Sequence, residues 1–198
     1  MSLLLLAPGN SIHTKRWIDF HKESIDLFVS LHPFREDIIF DKKIFFSTNF
    51  FSLIFNSVRL LFLIKRKNIK TVHLHSLARY GFFILPSCLF LNIKLISSPW
   101  GTDLVLGKDK MMNKLTIRYL LKKSEIIHVD AVHMIDKCEE ILKGSSSKCK
   151  KIMFGCNTNL FKPSGEQHVT ADKLRILSIR NHEDVYRVDL IIESLKEL

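Results

Sequence analysis

The 198-residue chain carries 30 Lys and Arg against 20 Asp and Glu, a formal net charge of +10. With 46% hydrophobic and 25% charged residues, and only 7 Gly and 5 Pro, disordered, collagen-like and linker-like classes are excluded. The charge favours anionic partners without choosing among nucleic acid, anionic lipid and phosphate-bearing substrates.

Residues 3–7 are a continuous apolar run closed by Pro8, Gly9 and Asn10, the pattern of a strand covered on both faces. Ser11 then caps a helix reaching about residue 23, with Trp17, Ile18 and Phe20 on its apolar side. Further strands are expected at 25–31, 37–40, 71–75, 94–97, 125–129 and 151–154. Helices are expected at 49–67, 78–91, 109–123 and 131–143. Strand and helix alternate with short connections, which predicts an α/β fold: a doubly wound parallel sheet with helices on both faces.

The composition turns polar near Asn157, and the stretch around Pro163, Ser164 and Gly165 reads as a linker. After it come one strand at 174–179 and one helix from about 188 to 198. Such a pair cannot bury its apolar faces alone. The expected organisation is therefore a first domain over 1–160, a linker over 161–172, and a truncated beginning of a second domain over 173–198.

Residues 50–64 are apolar nearly all round, but Asn56, Ser57 and Arg59 interrupt them. The stretch is also shorter than the ~20 residues needed to span a bilayer. Buried core helices are the principal reading. An in-plane membrane-docking helix is the alternative, because Lys65, Arg66, Lys67 and Lys70 follow. Cys88, Cys138, Cys149 and Cys156 form no CxxC pair. The 3–7 run is too short for a signal-peptide core and lacks a basic region before it. A cytoplasmic chain with reduced thiols is expected.

Ligands of open parallel sheets bind at the carboxyl ends of the strands. The loop Pro8-Gly9-Asn10-Ser11 lies at such an end, where Gly9 would let a ligand approach the backbone. The alternative is that Gly9 only makes a turn. Neither GxGxxG nor GxxxxGK[ST] occurs. His73 and His75 share one face of a strand end, but no third metal ligand stands at useful spacing. They line an acceptor or are plain hydrogen-bonded histidines, and structural roles are favoured for His128 and His133. Trp100 can stack on the apolar face of a sugar and Asp103 can accept hydroxyl hydrogen bonds. Equally, Trp100 can pack under its loop while Asp103 caps a turn. Arg180 and Arg187 sit where a diphosphate would be gripped, unless both are merely solvated. Nucleic-acid binding has no supporting motif.

Four segments resemble glycosyltransferase family 4, a retaining, metal-independent group with the GT-B fold. They are Leu5 to Trp17, with Pro8-Gly9-Asn10-Ser11-Ile12-His13; His75 to Gly81; Ser98-Pro99-Trp100-Gly101-Thr102-Asp103, close to that family's WGSD variant; and Lys151 to Pro163, with Phe154-Gly155-Cys156-Asn157-Thr158. The resemblance implies a Rossmann-like, acceptor-side GT-B N-terminal domain followed by the start of a donor-binding domain. It implies transfer of a sugar from a nucleotide-diphosphate sugar to a carbohydrate or lipid-linked acceptor with retention, in surface-polysaccharide biosynthesis, without a metal or other cofactor.

Asp103, Arg180 and Arg187 become the catalytic candidates. Gly9, Asn10, His13, His75, Arg79, Tyr80, Trp100 and Gly101 become the substrate-binding candidates. Peripheral contact with an anionic membrane on the cytoplasmic side fits the basic charge. Arg187 stands where the family usually has Lys, and Val188 where it has Gly. The family's pair of glutamates seven residues apart is not found in the chain. A non-catalytic remnant, or a module that binds an acceptor or partner without the donor, is the competing expectation.

Overall fold

The computed structural model describes residues 2–47, 49–106, 111–144, 147–153, 155, 157–162, 177–179 and 186–195. The chain divides into two compact units, Met1–Gly155 and Cys156–Leu198.

The first unit is built on seven strands: β1 (Leu3–Leu6), β2 (Leu27–Ser30), β3 (Lys43–Phe45), β4 (Thr71–His75), β5 (Lys94–Ser98), β6 (Ile126–Val129) and β7 (Cys149–Lys151). They form one sheet in the order β3-β2-β1-β4-β5-β6-β7, and every pairing is parallel. The helices are α1 (Ile12–His21), α2 (Phe50–Arg66), α3 (Arg79–Phe90), α4 (Thr102–Leu106), α5 (Met111–Lys123) and α6 (Val132–Leu142). The expected doubly wound α/β sheet is thus present. Strand order reverses between β1 and β4, and such a switch point opens a crevice at the strands' carboxyl ends.

Side chains alternate across the sheet. Leu4, Leu6, Val72, Leu74, Leu95 and Ile127 face α2, α3, α5 and α6, where Leu60, Ile64, Phe83, Ile84 and Leu120 complete the larger core. Leu5, Ala7 and Phe28 face the other way, against Ile18 of α1 and against Ile38 and Phe40. Each fully buried side chain of this size stabilises the fold by about 1.5–3 kcal/mol relative to exposure. On β4, β5 and β6 the α1 side of the sheet changes character. His73, His75, Ser98 and His128 stand there, all buried.

Local signals explain the helix starts. Ser11 Oγ accepts the His13 backbone N–H at 3.1 Å, and Asn49 Oδ1 accepts that of Ser52 at 2.7 Å.

Several expectations are corrected. Residues 37–40 form no strand, although Ile38 and Phe40 are buried while Ile39 is exposed. That alternation comes from a loop lying on Phe28, and the edge strand is the more polar β3. The last strand is β7 at 149–151, so 152 and 153 lie beyond it. Phe20 is not on the buried side of α1 but 86% exposed. Residues 102–106 add a short helix that was not expected.

In the second unit, α7 (Val188–Ser194) is the helix anticipated from about 188. Residues 177–179 are outside any strand, with Leu177 and Ile179 exposed. The rest of the 174–179 expectation, and most of the linker, lie outside the described residues. Among the described residues no helix is long and apolar enough to cross a membrane.

Candidate functional site

The carboxyl ends of β1, β4, β5 and β6 converge on α1. Trp17 is at the centre. Its ring stands edge-on to His73, His75 and His128, with centroids 4.7, 5.3 and 5.5 Å away, and stacks on His21 at 4.8 Å. His75 also meets His73 at 4.4 Å and Trp100 at 6.0 Å, while His13 meets Trp100 at 5.8 Å. The chain has two tryptophans, and both belong to this cluster. Beside it lies a cleft of about 220 Å³ lined by Arg16, Trp17, Phe20, His21, His128, Ile152 and Met153.

A directed hydrogen-bond chain runs beneath Trp17. His128 Nε2 lies 2.7 Å from the Ile152 carbonyl oxygen, His128 Nδ1 2.9 Å from Ser98 Oγ, and Ser98 Oγ 2.8 Å from His73 Nε2. A carbonyl can only accept, so His128 Nε2 carries a proton. The Ser98 hydroxyl lies between the two imidazoles and has one proton, so it can donate to one ring while accepting from the other. Burial, with the neighbouring His128 and His21 adding to it, lowers the His73 pKa to about 3. His75 is wholly buried, and burial again, followed by His73, His128 and His13, holds its pKa well below 6.5. Neither His75 nitrogen has a hydrogen-bond partner, nor has Trp100 Nε1. Burial and then the Arg16 charge lower the His13 pKa, while Asp130 opposes them.

Asp103 is buried under the loops that follow β4 and β5. Its carboxylate accepts the Leu77 N–H on Oδ2 and the Trp100 N–H on Oδ1, the latter at 2.8 Å. Burial raises its pKa, and those two amides oppose the rise. Both loops need an unusual turn, with Ser76 at φ 61° and Gly101 at φ 82°. Gly101 has open space around it, whereas a Cβ on Gly9 would fall 2.8 Å from Phe34 Cδ1 and 2.9 Å from both His32 O and Ser30 Oγ. Glycine at position 9 is therefore required by the protein's own packing.

Ser30 Oγ accepts the Gly9 N–H at 2.8 Å and the His32 N–H at 2.9 Å. The Tyr80 hydroxyl accepts the Leu31 N–H at 3.0 Å and lies 2.8 Å from His32 Nδ1. Tyr80 is buried, and burial raises its pKa to about 12. It anchors the β2 end. Arg79 and Asn10 are exposed.

The fold thus brings His13, His75, Trp100, Gly101 and Asp103 together, with the Gly9–Asn10 turn anchored to the end of β2. Tyr80 is tied to that same β2 end. Arg187 belongs to the second unit, where it has φ 45° and grips Asp189 with two nitrogens, Nη2 to Oδ2 at 2.8 Å. Arg180 lies outside the described residues. Trp17, Ser98 and His128 join the site without having been candidates: Trp17 and Ser98 ended and began two of the family-like segments, and His128 was expected to be structural. For Ser98 on β5 and His128 on β6 the signal was their period-two position on neighbouring strands; Trp17, on α1, carried no such signal. Among the described residues, no group of three or more His, Cys, Asp or Glu could hold a metal ion.

A family model described as glycosyl transferase 4-like matches residues 2–131. Among solved structures, the chain is similar to Anabaena Alr3699/HepE in complex with UDP and glucose, at 14% identity and TM-score 0.58, over 83% of this chain and 47% of that one. It is similar to a glycosyltransferase from Rickettsia africae at 16% identity and TM-score 0.52, over 84% and 46%. It is also similar to a putative UDP-N-acetylglucosamine 2-epimerase from Listeria monocytogenes at 9% identity and TM-score 0.57, over 75% and 43%. The chain spans less than half the length of these three proteins. No curated protein sequence matches it.

Proposed function

The chain belongs to the glycosyl transferase 4-like family, and from that premise we propose that it supplies the acceptor-side half of a sugar-transfer site. The donor is a nucleotide-diphosphate sugar, the acceptor a carbohydrate or lipid-linked glycan, and the transfer retains anomeric configuration without a metal. The setting is surface-polysaccharide assembly on the cytoplasmic face of a membrane. The single observation that carries this reading is the gathering of His13, Trp17, His75 and Trp100 at the switch point of the sheet. Half-buried Trp100 offers an aromatic plane to the apolar face of a sugar. His13 at the start of α1, with Gly9 and exposed Asn10 before it, borders the same crevice. Arg79 at the start of α3 and Gly101 in the loop after β5 border it in this scheme. His75 and Tyr80, both buried, act as positioning residues, as does Asp103. Arg180 and Arg187 hold the diphosphate in this scheme.

One observation favours a second reading. Arg187 is already engaged by Asp189, as suits a module that binds an acceptor but no donor. Calorimetry with UDP-sugars separates the two, since the module binds none. The acceptor reading is tested by tryptophan fluorescence, because both tryptophans report this site. Titration with methyl glycosides and short oligosaccharides should shift or quench the emission saturably. An emission unchanged across the whole panel would overturn the reading.

A further inference from the structure

Helix α2 has two unlike faces. Leu60 and Ile64 enter the main core, with Leu53 and Leu63 packed against it. On the opposite side Phe51, Phe55, Val58 and Phe62 recur at helical spacing, and all are exposed, the three phenylalanines by 82%, 66% and 62%. Ile54 is exposed beside them. The helix contains no acidic residue, and exposed Lys65 and Arg66 close its last turn, followed by exposed Lys67 and Lys70. Among the described residues none of these four cations makes an ion pair.

Between α2 and the edge strand β3 lies a cleft of about 400 Å³ whose lining is Ile44, Phe46, Phe62 and Leu63 with Arg59 and Arg66. Arg59 is held over the rings of Phe46 and Phe55, 5.4 and 5.8 Å from their centroids.

We infer that this face docks on an anionic phospholipid bilayer. The phenylalanine stripe enters the acyl boundary, and the Arg59–Arg66 cleft takes a lipid phosphate with the first methylenes of its chain. An apolar stripe bordered by cations, with no anion on the helix, matches a surface that is negative above and apolar below. A second copy of the chain would instead bring like charges together. The inference deepens the proposed membrane setting, and its test reads lipid binding and not sugar transfer, so either can fail alone.

The experiment is sedimentation of the full chain with vesicles of phosphatidylcholine alone or with one-third phosphatidylglycerol, at physiological salt. Binding is expected only to the second. R59Q/R66Q should weaken it by more than tenfold, taking roughly fivefold per cation near an anionic surface. F51S/F55S should weaken it at least as much. Circular dichroism shows whether each variant is folded, and both pairs are exposed side chains. Equal binding to both vesicles, or none, overturns the inference. So does full binding by F51S/F55S, which would mean charge adsorption alone. A concentration-independent dimer by ultracentrifugation, broken by F55S, would assign the face to a second copy and overturn it as well.

Discussion

Asp103 Oδ1 accepts the backbone N–H of Trp100, 2.8 Å away. The carboxylate thereby fixes the loop that presents the indole, and through Leu77 it fixes the neighbouring loop too. Asp103→Ala leaves two backbone donors without their partner. At about 1.5–3 kcal/mol for each hydrogen bond to a charged group, the loss should reach several kcal/mol. Thermal melts check this, and Trp100 emission should shift to longer wavelength as its loop loosens. An unchanged spectrum would deny Asp103 this positioning role.

Gly9→Ala is expected to destabilise by about 1–3 kcal/mol, because its Cβ meets a backbone carbonyl and a hydroxyl already committed to hydrogen bonds. Gly101→Ala meets no neighbour and should cost only about 1–2 kcal/mol for its left-handed backbone. Urea denaturation of the pair would separate crowding from backbone strain. Equal midpoints for Gly9→Ala and wild type would refute the packing argument.

Ser98 bridges His73 and His128. Ser98→Ala orphans a buried donor on one and an acceptor on the other, for a cost of about 2–4 kcal/mol. Ser98→Thr keeps the hydroxyl and should recover most of it. Equal losses in the two variants, read from denaturant midpoints, would mean that the hydroxyl is not what matters.

His73 and His75 are held neutral in the folded chain. Above their ordinary pKa of 6.5, folded and unfolded chains carry the same protons on these groups. Below it the unfolded chain takes up protons that the folded chain refuses. Stability therefore falls as pH drops below about 6.5, by up to roughly 1.4 kcal/mol per pH unit from His73 down to about pH 3, with His75 adding a loss of the same sign. Asp103, with its raised pKa, takes a proton in the folded state first and offsets part of this loss. His75→Phe, which replaces two unpartnered nitrogens by carbon, should flatten the slope and raise stability near pH 5. Urea midpoints at pH 7.5, 6 and 5 decide it, and an unaltered slope would contradict the assignment.

The apolar run of Leu3 to Ala7, the capping side chains Ser11 and Asn49, and the alternation of strand and helix were readable residue by residue. Each is a local preference, and together they dictate a parallel sheet with helices on both faces. Other elements were not readable. Ile38 and Phe40 alternate like a strand yet pack as a loop, while Lys43–Phe45 becomes the edge strand. Pairing with β2, rather than composition, selects between them. The loop motif around Trp100 and Asp103 was visible, but its residues' duties were not. Whether a carboxylate faces solvent or clasps two backbone amides depends on a loop 26 residues away in the chain.

The sequence by itself determined the layered α/β architecture, because periodicity and capping act over a few residues. Only the tertiary structure decided that Trp17 from α1 would stand over histidines from β4 and β6, and that Phe51, Phe55 and Phe62 of α2 would remain outside. Those outcomes depend on strand order and on which helix face meets the sheet, and both are settled by contacts between distant segments.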